Sequence, residues 1–395
     1  MTRRILNISP NDPRLRETFV RTQICALQKA GWEVIEAYHE PAENNAKSEW
    51  VDGIFYRPVA VSTLPVPTSP VQRVLKAVRT LVTRNSEQIT DAECDRWAQL
   101  IEAVNPACIL VQFGPCAGRV LRVLERSGRP WVVQFHGYDL TQRCRYWGYR
   151  LMLAKLMRSA GAAFVPSAYL EAQLRRYAGE SRFSKIHRIT PGYDEAVYMP
   201  LSRGLREGKR FRLVSVGRLV EVKGHMHLLE VIMNGGDDVD LYIVGEGEER
   251  SKLEARIEAC GLDSRVKLLG ALSAEAIQQV YAESDAFIQL SRTTKTGAKE
   301  GLGLSPIEAA ASGLPVIVSD SGGLSETCRD GESGFVVPEG DIVAAAKAIR
   351  ILNEDRALAS RMGAAGASWV RSSFGARQQA LYADSILRSL LGISR

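Results

Sequence analysis

Several things are missing from this chain of 395 residues, and each absence excludes a class. It has no run of 18 apolar residues, so no segment reads as a membrane-spanning helix. Its seven cysteines (Cys25, Cys94, Cys108, Cys116, Cys144, Cys260 and Cys328) show no CxxC or CxxH spacing. An odd number of scattered cysteines excludes a disulfide scaffold and reads as free thiols in a reducing compartment. Met1 to Arg4 lead into Ile5 and Leu6 without the apolar stretch of a secretory signal, so a cytoplasmic location is expected. Short repeats and low-complexity tracts are also lacking.

What remains is the composition of an ordinary soluble chain, 45% hydrophobic and 24% charged. At this length one compact core is not enough, and two domains are expected. The formal charge of +6 is uneven. Residues 1–200 hold 27 Lys and Arg against 19 Asp and Glu, and residues 201–395 hold 24 against 26. A basic first half suits an anionic partner, such as a membrane surface or an acidic acceptor.

Short apolar runs alternate with amphipathic stretches throughout, which predicts parallel sheets covered on both faces by helices. In the first half, strands are predicted over 5–9, 33–39, 54–59, 109–113, 131–136 and 163–166. Helices are predicted over 17–30, 71–83, 91–104, 117–127, 142–160 and 169–177. The pattern breaks over 191–210, where Pro191, Gly192, Pro200, Gly204 and Gly208 mark a linker. It then resumes, giving an α/β chain of two doubly wound, Rossmann-like domains whose facing strand ends would make a cleft. The expected boundaries are 1–195, 196–375 and a terminal helix over 376–395 that returns to the first domain.

Two stretches of the second half carry chemistry. Gly217-Arg218-Leu219-Val220-Glu221-Val222-Lys223-Gly224 follows that domain's first strand. Ligands of such sheets sit at the carboxyl ends of strands, so Arg218 and Lys223 could together neutralise a diphosphate. The plain alternative is a pair of solvated loop cations. The second stretch, Glu300 to Gly313, reads E-G-L-G-L-S-P-I-E-A-A-A-S-G. Ser305 is a candidate N-cap, Pro306 suits the first helical position, and Glu308 is spaced to close a capping box. The open N–H groups at such a helix start make a phosphate seat, and Gly301 and Gly303 allow close approach. Glu308 could instead hold ribose hydroxyls, and Glu300 has no cap to serve.

The strings G-R-L-x(3)-K-G (217–224) and E-G-x-G-L-x(3)-E-A-x-A-x-G-x-P-V-I (300–317) together resemble the retaining nucleotide-sugar glycosyltransferases of family 4, which have the GT-B fold. The likeness extends to L-Y-I-V-G-E-G (241–247), V-K-L-L-G (266–270), S-G-G-L-S-E-T (321–327) and D-G-E-S-G-F-V-V (330–337). In the first half, P-R-L-R-E-T-F-V (13–20) with A-L-Q-K-A-G-W-E-V (26–34) is similar to exopolysaccharide transferases of the colanic-acid and amylovoran kind. V-V-Q-F-H-G-Y-D (132–139) ends a strand as relatives do to present a histidine.

The resemblance implies a set of roles. Arg218 and Lys223 would bind the donor diphosphate and stabilise the departing nucleotide, with amides near Gly301, Gly303 and Leu304 adding to the seat. Glu308 would bind the ribose, Glu300 would touch the transferred sugar, and the backbone around Leu269 would read the base. His136, oriented by Asp139, would contact sugar or acceptor. No metal and no cofactor is expected, the substrate itself being a nucleotide-diphosphate sugar. The implied activity is transfer, with retention, to a hydroxyl of a glycan or lipid-linked acceptor in cell-surface or exopolysaccharide synthesis. Alternatives are a nucleotide-sugar epimerase of the same fold or a non-catalytic nucleotide-sugar-binding subunit.

Two basic amphipathic stretches, 71–82 and 143–158, bear on the acceptor. The first reads as a packed helix or a membrane-surface helix, the second as a packed helix or the lining of an acceptor route. Partners would then be the donor, a glycan or glycolipid and an anionic membrane at its inner face. Nucleic acid is not expected, since no recognised module accompanies the charges.

Overall fold

The computed structural model describes residues 3–10, 18–38, 49–51, 54–56, 58–60, 89, 91–200, 210–234 and 238–393. The predicted helix over 71–83 and the P-R-L-R-E portion of 13–17 lie outside these residues. The chain divides into two compact units, Met1–Gly192 with Ala376–Arg395, and Tyr193–Gly375.

The first unit contains β1 (Arg4–Ser9), β2 (Glu33–Tyr38), β3 (Glu49–Val51), β4 (Ile54–Tyr56), β5 (Pro58–Ala60), β6 (Cys108–Gln112), β7 (Trp131–Gln134), β8 (Ala162–Val165) and β9 (Ile186–Arg188). Seven of these form a parallel sheet in the order β5-β2-β1-β6-β7-β8-β9. The single strand predicted over 54–59 is two pieces: β4 pairs antiparallel with β3, and β5 joins the sheet edge. Pro58 suits an edge, where a missing N–H breaks no ladder.

Burial follows the two-residue period of a strand covered on both faces. Leu6, Ile8, Ile109 and Val111 face one core, and Ile5, Cys108 and Leu110 the other. The second core is completed by the last helix, Ala376–Leu390, whose Ala380, Ala383 and Leu387 pack with Ile24 and Leu27 of the helix Thr18–Lys29. Trp32 Nε1 donates to Asp384 Oδ1 at 2.8 Å, and the Thr190 N–H donates to Gln379 Oε1 at 2.9 Å.

The second unit is built on β10 (Phe211–Val216), β11 (Val239–Val244), β12 (Val266–Gly270), β13 (Ala286–Gln289), β14 (Val316–Ser319) and β15 (Gly334–Val337). These run parallel in the order β12-β11-β10-β13-β14-β15. Numbered within the unit this is 3-2-1-4-5-6, the doubly wound order with its switch point between β10 and β13. Side chains at helix starts fix several of the flanking helices: Ser273 accepts from the Ala276 N–H, Asp341 from Ala344 and Asp355 from Leu358. Among the described residues, no helix is long and apolar enough to cross a membrane.

Candidate functional site

At the switch point of the second unit, the loops leaving β10 and β13 meet. The β10 loop forms a single 3₁₀ turn, Glu221–Lys223, ended by Gly224 at φ +70° before the helix His225–Asn234. A Cβ at Gly224 would lie 1.8 Å from the Leu290 carbonyl oxygen, so only glycine lets the loop close onto the end of β13. The Arg292 N–H donates to the Val222 carbonyl at 3.0 Å and locks the two loops together.

That closure brings Lys223 to Glu300, with Nζ 2.8 Å from Oε2 and both side chains about six-sevenths buried. The same Glu300 oxygen accepts from Gln289 Nε2 at 3.2 Å and lies 3.5 Å from Ser291 Oγ. Gln289 and Ser291 are wholly buried, and Ser319 Oγ donates to the Ser291 carbonyl at 2.6 Å. Arg218, in contrast, is exposed, and its guanidinium has no ion-pair or hydrogen-bond partner among the described residues. Its backbone is held from below: His225 Nε2 lies 3.2 Å from the Arg218 carbonyl oxygen. Burial pushes that imidazole down to about 4, so it stays neutral and donates.

The capping box expected at Ser305 and Glu308 is not formed. The helix runs Leu304–Ala311, its N-cap is Gly303 at φ +90°, and no side chain caps it. Glycine turns the chain two residues earlier than a serine cap would, which leaves Ser305 and Pro306 inside the first turn. Proline is tolerated there because first-turn amides have no intrahelical acceptor. Among the described residues nothing accepts from the Gly303, Leu304 and Ser305 amides, which lie at the positive end of the helix dipole. Glu308, freed of capping, is partly buried. Desolvation raises its carboxyl to about 7, with the Lys223 charge pulling the other way. Leu269 lies on β12 where the register against β11 skips, Ile243 pairing with Leu268 and Val244 with Gly270. Such a bulge beside a site re-aims backbone groups.

The first unit has its own polar centre at the carboxyl ends of β1, β6 and β7. Gln112 Nε2 donates to Asn7 Oδ1 at 2.9 Å and to Gln23 Oε1 at 3.2 Å, which turns Gln112 Oε1 toward His136 Nε2 at 2.8 Å. Gln23 Nε2 in turn donates to Gln134 Oε1 at 3.0 Å. The acceptor at Gln112 assigns the proton of His136 to Nε2 and leaves Nδ1 as a lone pair. Burial drives the His136 imidazole down to about 3, so the ring is neutral. Phe113 and Phe19 stack against it at centroid distances of 4.4 and 4.9 Å. Phe113 sits at φ +69°, a conformation a bulky residue holds only when its surroundings enforce it.

Asp139 does not touch the His136 ring, contrary to expectation. Its buried carboxylate accepts the N–H groups of His136, Gly137 and Gly114, tying the β7 loop to the start of the helix Gly114–Ser127. Burial raises its pKa, and these three donors act in the opposite sense.

Residues 202–369 match the family described as Glycosyl transferases group 1, and residues 17–192 match the Glycosyl transferase 4-like domain. The chain belongs with the glycosyltransferases of the GT-B fold, one model matching within each of its two units. It is 33% identical over 202 residues to the GDP-mannose-dependent alpha-(1-6)-phosphatidylinositol monomannoside mannosyltransferase of Mycobacterium tuberculosis, a match covering 48% of this chain and 52% of that one. It is 34% identical over 149 residues to the amylovoran biosynthesis glycosyltransferase AmsK of Erwinia amylovora, covering 37% of each. These matches thus span about half or less of the relatives' lengths. In fold it is similar to a sucrose-phosphate synthase from Thermosynechococcus elongatus (TM-score 0.79, 22% identity, 99% of this chain and 100% of that one). Anabaena HepE, solved with UDP, follows at TM-score 0.77 and 18% identity, covering 98% of this chain and 100% of that one.

The second unit brings Arg218, Lys223, Gly301, Gly303, Leu304 and Glu300 around one loop cluster, and the Lys223 charge acts on Glu308. His136 belongs to the first unit and to a separate network. Sequence reasoning missed Gln289, Ser291, His225, Gln112 and Phe113. A signal existed for two of them: Gln112 and Gln289 are polar residues closing otherwise apolar, buried strands, where a polar side chain needs a partner.

Proposed function

We propose that the chain moves a sugar, with retention of configuration, from a nucleoside-diphosphate sugar to a hydroxyl of a glycan or lipid-linked acceptor in cell-surface or exopolysaccharide synthesis. The observation that carries this reading is the Lys223–Glu300 pair at the switch point, with an exposed Arg218 whose guanidinium has no partner among the described residues and an uncapped helix start. Two cations and three open amides offer a diphosphate the compensation it needs as it leaves. Lys223 exchanges Glu300 for phosphate oxygens, and Glu300 turns to hydroxyls of the transferred sugar. Glu308 holds the ribose and the backbone around Leu269 meets the base. His136 offers a neutral nitrogen lone pair to a sugar or acceptor hydroxyl. The leaving group departs and the acceptor attacks on the same face, so charge stabilisation replaces a strong enzymic base.

HepE's solved complex with UDP and the mannosyl and amylovoran activities named for the relatives support the donor and acceptor classes. Seven free cysteines support a reducing location, which we assign to the inner face of the membrane. No resident metal or cofactor is part of this reading, so transfer should persist in EDTA. A thermal-shift screen over nucleotides and nucleotide sugars tests it directly, because a bound donor stabilises by mass action. Stabilisation by one nucleotide series, followed by transfer to a glycolipid extract, is the expected result. A new sugar isomer formed from donor alone would identify an epimerase, and donor binding without turnover a non-catalytic subunit.

A further inference from the structure

Strand β13 is apolar from Ala286 to Ile288 and then ends on a wholly buried amide, Gln289. The strand period puts Gln289 on the same face as Phe287, the face covered by the helix Leu304–Ala311. An aliphatic side chain would fill that position with no polar group to satisfy. The amide instead points its N–H groups into the site: Nε2 donates to Ser291 Oγ at 2.8 Å and to Glu300 Oε2 at 3.2 Å. Ser291 Oγ accepts from that amide and so directs its own proton to the same Glu300 oxygen, 3.5 Å away. The cost falls on the other end of the amide, where Gln289 Oε1 is buried with no hydrogen-bond partner among the described residues. The reverse orientation would set Oε1 against the Glu300 carboxylate oxygen. Glu300 and Ser291, rather than packing, therefore decide which way Gln289 points.

We propose that Gln289 is a positioning residue for sugar transfer, holding Glu300 Oε2 in place when Lys223 turns to the donor diphosphate. Among the described residues, the ion pair and hydrogen bonds of the Glu300 carboxylate all fall on Oε2 and none on Oε1. Two of the donors, Gln289 and Ser291, are wholly buried at the end of β13, so an incoming phosphate does not draw them away as it draws a lysine. Ser291 is braced in turn by β14, where Ser319 Oγ donates to its carbonyl at 2.6 Å. With Oε2 anchored, the carboxylate turns about a fixed point, and Oε1 is the oxygen left to accept from a hydroxyl of the transferred sugar. A support of this kind keeps a catalytic contact aimed through a step that removes its other partner. The inference rests on the transferase reading and deepens it, adding to Lys223 and Glu300 the group that steadies the carboxylate while the nucleotide departs.

The test compares Gln289→Met with the wild type in the full chain. Methionine is close to glutamine in length, cannot donate and removes the stranded acceptor, so the thermal midpoint should not fall. Calorimetry with UDP and with GDP should show affinity no weaker than wild type, since Arg218 and Lys223 are untouched. Turnover is read as nucleoside diphosphate released from UDP-glucose or GDP-mannose in the presence of a glycolipid extract. It should fall about tenfold at an unchanged donor KM, the usual weight of one hydrogen bond to a charged group. In a Glu300→Ala background the same substitution should change turnover by less than about twofold, because Gln289 acts through Glu300. Ser291→Ala should repeat the pattern at smaller size, and it carries the test if Gln289→Met does not fold. Undiminished turnover overturns the proposal. So does a loss that is as large in the Glu300→Ala background, or one that follows a fall in midpoint and diphosphate affinity. Wild-type protein that binds no nucleotide and turns over no nucleotide sugar in the thermal-shift screen removes the transferase reading and this proposal with it. A wild type that transfers, beside a Gln289→Met variant that transfers equally well, removes this proposal alone.

Discussion

Lys223 Nζ and Glu300 Oε2 stand 2.8 Å apart at the switch point, so each candidate donor ligand occupies the other before any donor arrives. Removing the carboxylate charge separates two effects. Glu300→Gln should bind a nucleoside diphosphate more tightly, because Lys223 no longer has to leave a partner. Its turnover should nevertheless fall by about 100-fold if Glu300 meets the transferred sugar. Calorimetry with the diphosphate and steady-state transfer assays give both readouts; unchanged turnover in Glu300→Ala would remove Glu300 from the mechanism.

The Arg218 guanidinium has no partner among the described residues. Arg218→Ala should therefore leave the unfolding midpoint unchanged while raising the donor KM and lowering kcat, together about 2–4 kcal/mol in kcat/KM. An unaltered kcat/KM would mean that Arg218 is only a loop cation.

Gln112 sets which nitrogen of His136 carries the proton. Nitrogen-15 spectra should show His136 as the Nε2–H tautomer from pH 5 to 8, since burial holds its imidazole at about 3. Gln112→Glu puts a carboxylate against Nε2 and should raise the His136 pKa into the measurable range. Spectra showing a protonated Nδ1 in the wild-type protein would contradict the assignment.

Glu308 predicts the pH dependence. Its carboxyl, near 7 in the fold and near 4.5 unfolded, holds its proton longer in the native state, so stability falls as pH rises from 4.5 through 7. Donor binding runs the other way, because a ribose diol is best held by the ionised form. The donor KM should rise as pH drops below about 7, and Glu308→Gln should flatten that limb. The same variant should gain more thermal stability at pH 8 than at pH 5. A KM independent of pH in the wild type would exclude an ionised Glu308 from ribose binding.

Much of the fold was legible because it is local. Apolar runs such as Cys108–Gln112 and Val316–Ser319 are buried strands wherever they fall, and period and length identify them. The site was legible as residue types, Arg218, Lys223, Glu300 and Glu308, but not as partners. The Lys223–Glu300 pair exists because β10 and β13 are neighbours in the sheet, a fact of strand order rather than of spacing. Asp139 was misread for a related reason. Three residues from His136, it seemed aimed at the ring, yet the turn between them presents N–H groups first. The capping box failed because a glycine at φ +90° can start a helix without any side chain, and residue type alone does not reveal that choice.

The last helix carries a consequence for synthesis. Ala380, Ala383 and Leu387 cover Ile24 and Leu27, so the first unit is completed by residues the ribosome makes only after the second unit. Until Asp384 emerges to accept from Trp32, that apolar face has no cover of its own. The first unit must wait, partly open, while the whole of the second unit is translated, and that interval exposes it to chaperones and to aggregation.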